Sequence, residues 1–207
     1  MKPITVLVHG LWYGPVSMRL LALRLERRGH PCQLFSYPTL GEVIDANARA
    51  LHDFASMIDT PRLDFVGHSL GGLVILRMLA EFEDLPPGRA VLLGSPVQGS
   101  AVVSRLIKIR PARPFIGAAS GALEASRYSV PRHHEIGIIA GTRSVGIGRL
   151  VDSLDQPNDG TIAAAETELP GASDSLELPV SHTGLVLSAD VADATAAFLD
   201  SGRFESD

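Results

Sequence analysis

The sequence predicts an α/β fold: a mostly parallel central sheet of about six strands, flanked by helices on both faces. Three observations lead there. Short apolar runs rich in β-branched residues alternate along the chain with longer segments of helical periodicity. Those short runs are apolar nearly throughout, the pattern of strands covered on both faces, as parallel strands between helical layers are. Finally, the chain has 207 residues, 45% hydrophobic and 20% charged. At roughly 100 to 200 residues per domain, that suits a single domain over residues 1–207.

The elements follow in order. Residues 4–8, ITVLV, read as the first strand. Residues 15–28 set Met18, Leu20, Leu21, Leu23 and Leu25 among arginines, and Gly29 follows as a stop signal, so this stretch is a helix. Residues 32–37 form a short strand closed by Pro38. Residues 43–58 place Ile44, Ala48, Leu51 and Ala55 at helical spacing. Residues 63–67 are the third strand, and residues 70–82 a helix apolar almost all round, which marks it as buried. Strands over 90–94, 136–140 and 176–180 and a last helix over 191–199 complete the set. Residues 97–132 mix glycine, proline, alanine and basic residues, and read as an irregular excursion near a site. Within it, residues 105–110 alternate basic and apolar side chains, as a solvated face does; peripheral contact with lipid is the other reading.

Charge and composition exclude several classes. A formal net charge of −5 gives no electrostatic reason to bind nucleic acid. The apolar run at 4–8 is too short for a signal peptide, and no stretch of about 18 apolar residues could span a bilayer. The lone cysteine, Cys32, excludes an intramolecular disulfide and any cysteine-built metal site, and fits a reducing compartment, so a cytoplasmic protein is expected.

The chemistry concentrates in Gly67-His68-Ser69-Leu70-Gly71, a G-x-S-x-G pattern at the end of a strand and the start of a helix. A serine on so sharp a turn leaves no room for side chains two positions away on either side, and glycine stands at both. Gly72 lets the helix lie close to the sheet. A serine hydroxyl is a weak nucleophile near neutral pH and needs a base, which in turn needs a carboxylate to orient it. His182, in Ser181-His182-Thr183-Gly184 just past the last strand, is the expected base. His68 is expected to point away from the serine. His9 belongs to the first loop, His133 and His134 precede a strand, and His30 and His52 lie in helical surroundings, so these read as structural or solvated. Asp159, in Asn158-Asp159-Gly160-Thr161, is the expected acid, with Asp155 its rival in the same loop and Asp152 and Glu166 weaker candidates. Backbone amides of Leu70 and Leu11 are the expected oxyanion donors. Trp12 and Tyr13 are expected to wall an apolar pocket, with Leu185 beside the histidine, and Leu40, Pro96 and Val97 as further candidates.

The segments VLVHGLW, VGHSLGGLV, LLGSPVQGS, IIAGT, NDGTI and SHTGLV resemble the α/β-hydrolase fold superfamily over nearly the whole chain. The likeness is to small lipases and esterases without a large cap domain, among them minimal bacterial lipases and the GPI-inositol deacylase-like group. It implies Ser69 as nucleophile, Asp159 as acid, His182 as base, and Leu11 and Leu70 as oxyanion amides, with no metal and no cofactor. The expected function is a serine carboxylester hydrolase acting on a small-molecule acyl ester of short to medium chain. Acyl transfer and thioester cleavage use the same groups, and a catalytically silent binding protein on this fold is the reading from another class.

Overall fold

The computed structural model describes residues 2–108, 128, 130, 133–145 and 154–204. Most of the 97–132 excursion and Asp152 therefore lie outside the described residues. Six strands form one parallel sheet: β1 (Ile4–Val8), β2 (Cys32–Phe35), β3 (Leu63–His68), β4 (Gly88–Leu93), β5 (His134–Gly141) and β6 (Asp174–Leu178). Their order across the sheet is β2-β1-β3-β4-β5-β6, with every neighbouring pair parallel. Among the described residues the helices are α1 (Arg19–Arg27), α2 (Ile44–Ser56), α3 (Leu70–Glu81), α4 (Ala101–Lys108), α5 (Gly184–Leu187) and α6 (Ala189–Ser201). Among the described residues no helix is long and apolar enough to cross a membrane.

Strand side chains alternate between faces with a period of two, and the core divides accordingly. Val6, Val8, Phe65, Leu92 and Ile138 pack against α2 and α3. Leu7, Val66, Val91, Leu93 and Ile139 pack against α1 and α6. The chain leaves β1 for one edge, through β2, and returns to the other side of β1 as β3. Strand order reverses between β1 and β3, which is where crevices open at the carboxyl ends of such sheets.

Element boundaries depart from the sequence reading in two informative places. Residues 15–18 are a 3₁₀ turn rather than the first turn of α1; Ser17 both donates its N–H to Gly14 O (3.0 Å) and its hydroxyl to the same oxygen (2.7 Å). Strand β6 runs two residues earlier than expected, because it is an edge strand with alternating exposure and accommodates Asp174, Ser175 and Glu177. Val180 falls outside it, turned by its N–H to Leu178 O.

The amino-terminal edge of the sheet is fastened by charge. Arg89 Nη1 donates to the carbonyls of Leu199 and Asp200, each at 2.8 Å, and Arg62 also donates to Leu199 O, so two cations cap the negative end of α6. Asp64, fully buried, receives Arg62 Nε (3.0 Å) and the Arg89 amide (2.8 Å) on one oxygen. Beside them His134 opens β5 with its ring buried, and desolvation pushes it down to about 4. The unfolded chain therefore takes up that proton first: the stability His134 contributes is complete above about pH 6.5 and is lost as pH falls toward the folded value. Thermal melts across this range should show Tm falling on acidification, and His134→Phe should flatten part of the fall. A variant as acid-sensitive as the native chain would exclude His134 as a source.

Candidate active site

Ser69 sits between β3 and α3 with φ 53° and ψ −121°. Such a conformation in a non-glycine residue costs of order 1–3 kcal/mol and persists only where its surroundings impose it. They do so through bare backbone. A Cβ on Gly67 would lie 2.5 Å from Gly72 Cα, and one on Gly71 would lie 2.3 Å from Val8 O; Gly72 for its part makes room for a side chain, since a Cβ there would meet Ser95 Oγ at 2.0 Å. The turn is tied down by Ser69 N–H donating to Leu93 O (2.9 Å) and Gly72 N–H to Ser69 O (3.1 Å). The serine side chain is left half-exposed at the start of α3, where free helix N–H groups gather.

His182 and Asp159 meet beside this turn. His182 Nδ1 lies 2.6 Å from Asp159 Oδ2, and both residues are buried. The carboxylate's other oxygen accepts the amides of Thr161 (2.9 Å) and Ile162 (2.7 Å), so both oxygens of the acid are occupied. His182 N–H in turn donates to Asp159 O (2.9 Å), locking the two loops together. Asp155 is exposed, and its carbonyl holds Asn158 Nδ2 at 3.2 Å; it does not reach the imidazole. Glu166 turns elsewhere as well, accepting the amides of Ala163 (2.9 Å) and Ala101 (2.6 Å). Gly94, at φ 55°, passes beneath the pair: a Cβ there would lie 3.1 Å from Asp159 Oδ2 and 3.3 Å from His182 Nδ1. Because Leu93 O holds the Ser69 amide, one backbone step joins the serine turn to the floor of the acid–histidine pair.

The loop after β1 closes the other side. A Cβ on Gly10 would lie 3.0 Å from Ser69 Cβ and 3.2 Å from His68 O, so this loop runs directly against the serine turn. Tyr37 stacks on His9 (4.6 Å) and donates its hydroxyl to His9 O (2.7 Å). Burial pushes His9 below its usual range. Trp12, with φ 63°, is 51% exposed, and Tyr13 reaches across to Thr183, hydroxyl to hydroxyl at 3.0 Å. Two pocket expectations are corrected. Leu185 is fully buried in the layer with α6, its Cδ1 under Gly94, and Val97 is buried with α2 and α3; neither faces an open cleft. His68, expected to point away, packs its ring 4.7 Å from that of His182.

Residues 5–199 match the model of the alpha/beta hydrolase family. The chain belongs to that family. No curated protein matches it by sequence. Among solved structures, a metagenomic carboxyl esterase is similar at 22% identity with a TM-score of 0.71, over 86% of this chain and 64% of that one. A Bacillus licheniformis lipase in its propeptide form is similar at 17% identity with a TM-score of 0.75, over 89% of this chain and 47% of that one. A type II thioesterase from the borrelidin biosynthetic cluster is similar at 18% identity with a TM-score of 0.63, over 97% and 92%. The chain thus spans less than two thirds of the first two. At these identities the likeness is one of fold.

Within this alpha/beta hydrolase, a half-exposed serine, a buried imidazole and a buried carboxylate share the carboxyl end of the sheet. Among the described residues no group of three or more His, Cys, Asp or Glu could hold a metal ion. Sequence reasoning missed Gly94, Tyr37 and the contacts of His68; only the adjacency of His68 to the serine hinted at any of these. The glycine contacts generate a stability prediction. Gly71→Ala, whose methyl would collide with Val8 O and His9 O, should lower Tm by several degrees. Gly41→Ala, with nothing within 4 Å of the new methyl, should leave it within about a degree, as surface changes do.

Proposed function

We propose that the chain is a serine hydrolase of carboxylic esters, esterase- or lipase-like, that works through an acyl-enzyme on Ser69. The observation that supports this most is the 2.6 Å bond between His182 Nδ1 and Asp159 Oδ2. A carboxylate can only accept, so the imidazole proton sits on Nδ1 and the Nε2 lone pair is left to act as base. In this reading Ser69 Oγ attacks the ester carbonyl while its proton passes to His182 Nε2. The amides of Leu11 and Leu70 hold the oxyanion, a contribution of about 3–4 kcal/mol for each such donor. The C–O bond then breaks, and the alcohol leaves with the proton from His182. Water, deprotonated by the same nitrogen, releases the acid and restores the serine. Asp159 keeps the ring oriented and stabilises the transient imidazolium. The cycle draws on these three side chains, the two backbone amides and water.

Trp12 and Tyr13 are assigned to the acyl wall, and a short to medium chain is the preferred substrate. The same acyl-enzyme would serve thioesters, in keeping with the similarity to a type II thioesterase. A cytoplasmic location is part of the same reading, since Cys32 is the lone cysteine and the fold calls for no disulfide.

A fluorophosphonate probe tests the assignment. The native chain should be labelled and Ser69→Ala should not. His182→Ala and Asp159→Asn should label roughly 10²- to 10⁴-fold more slowly, while Asp155→Asn keeps the native rate. Equal labelling of native and Ser69→Ala chains would end the proposal, and a native chain that folds but takes no label would favour a silent binding protein. Nitrophenyl esters of rising length should then give kcat/KM that peaks at short to medium chains.

A further inference from the structure

His68 occupies an unusual position. Its side chain is fully buried, and its Nε2 lies 3.0 Å from the carbonyl oxygen of His182. A carbonyl cannot donate, so the imidazole proton must sit on Nε2. The other nitrogen, Nδ1, is then a bare lone pair, buried and without a partner, and a Cβ on Gly10 would lie 3.1 Å from it. One ring therefore touches three pieces of the site. Its own backbone leads into Ser69, its Nε2 holds the loop of His182, and its Nδ1 abuts Gly10, the residue before Leu11. Tyr13 seals the ring from outside, edge-on at 5.6 Å.

We propose that His68 is a positioning residue: a neutral imidazole of fixed tautomer that braces the His182 loop against the loop after β1, setting the base relative to Ser69. This rests on the serine-hydrolase reading above. Neutrality is part of the device. The His182 ring becomes a cation during each acyl transfer, and a second positive charge at 4.7 Å would oppose it. Burial, reinforced by the neighbouring His182, pushes His68 down to about 3, so the brace stays uncharged wherever the base works. Among the described residues the titratable groups facing the pair are Asp159 on the loop after β5, His9 on the loop after β1 and Tyr13, with Glu166 behind Asp159.

Two variants and one spectrum test this. His68→Phe keeps a ring and loses the donor; His68→Gln restores a donor. The fluorophosphonate labelling rate, followed against pH, should fall roughly 10- to 100-fold in His68→Phe with its midpoint displaced, and His68→Gln should recover most of the native rate. Long-range ¹H–¹⁵N correlation spectra of the native chain should show His68 neutral and protonated on Nε2 from about pH 8 to pH 5. A His68 protonated on Nδ1 or doubly protonated in that range, or a His68→Phe chain with the native rate and midpoint, would overturn the brace. The native spectrum needs no variant, so it stands even if His68→Phe does not fold. It also reads out if the native chain takes no label, an outcome that removes the hydrolase reading and leaves the tautomer to be judged separately.

Discussion

Backbone touching backbone is the constraint on which this site depends. Strand β3, the start of α3 and the end of β1 approach to distances that no side chain could occupy, through Gly67, Gly71 and Gly72. That approach holds Ser69 at φ 53° and sets the loop after β1 directly opposite it. The strain is local and its support is wide: it is sustained by the packed layers of α2 and α3 on one face and α1 and α6 on the other. A looser helix would relax the serine into an ordinary conformation and withdraw its hydroxyl from the rim.

The second requirement is electrostatic, and among the described residues it is met without a salt link to any arginine. Burying a carboxylate is costly unless its oxygens are occupied. Asp159 meets that condition with two amides from its own turn on one oxygen and the imidazole on the other. Two arginines, Arg62 and Arg89, work instead at the opposite edge of the sheet, fastening the end of α6. The two ends of the strands therefore do different jobs. The amino edge is held by cations on helix carbonyls, while the carboxyl edge carries Ser69, His182 and Asp159 on turns and loops.

Much of this was legible in the order of residues because each cue had a single physical reading. Glycines flanking Ser69 after an apolar run admit few structures other than a strand-to-helix turn, and the histidine past the last strand lies at the same rim. The acid was less determined. Asp155 and Asp159 are four residues apart on one loop, and only the turn built by Asn158 and Gly160 decides which one is buried. Pattern failed where direction matters more than position. Leu185 follows the histidine by three residues, yet the start of α5 turns it into the core. His68 is adjacent to the serine, yet its ring crosses to a residue 114 positions away. Periodicity likewise misplaced β6, since an edge strand does not have to be apolar on both faces.

Glu166 gives the site one more property. Its two oxygens take the amides of Ala163 and Ala101, and the neighbouring carbonyl of the same residue takes the amide of Gln98. Four residues past Asp159 the chain enters this clamp, and on its far side α4 begins. The acid's loop and the root of α4 are consequently a single mechanical unit. Exchange of the 98–101 stretch in an engineered chimera would be felt at the carboxylate of Asp159 as well as at the root of α4, so these two parts of the molecule have to be redesigned together.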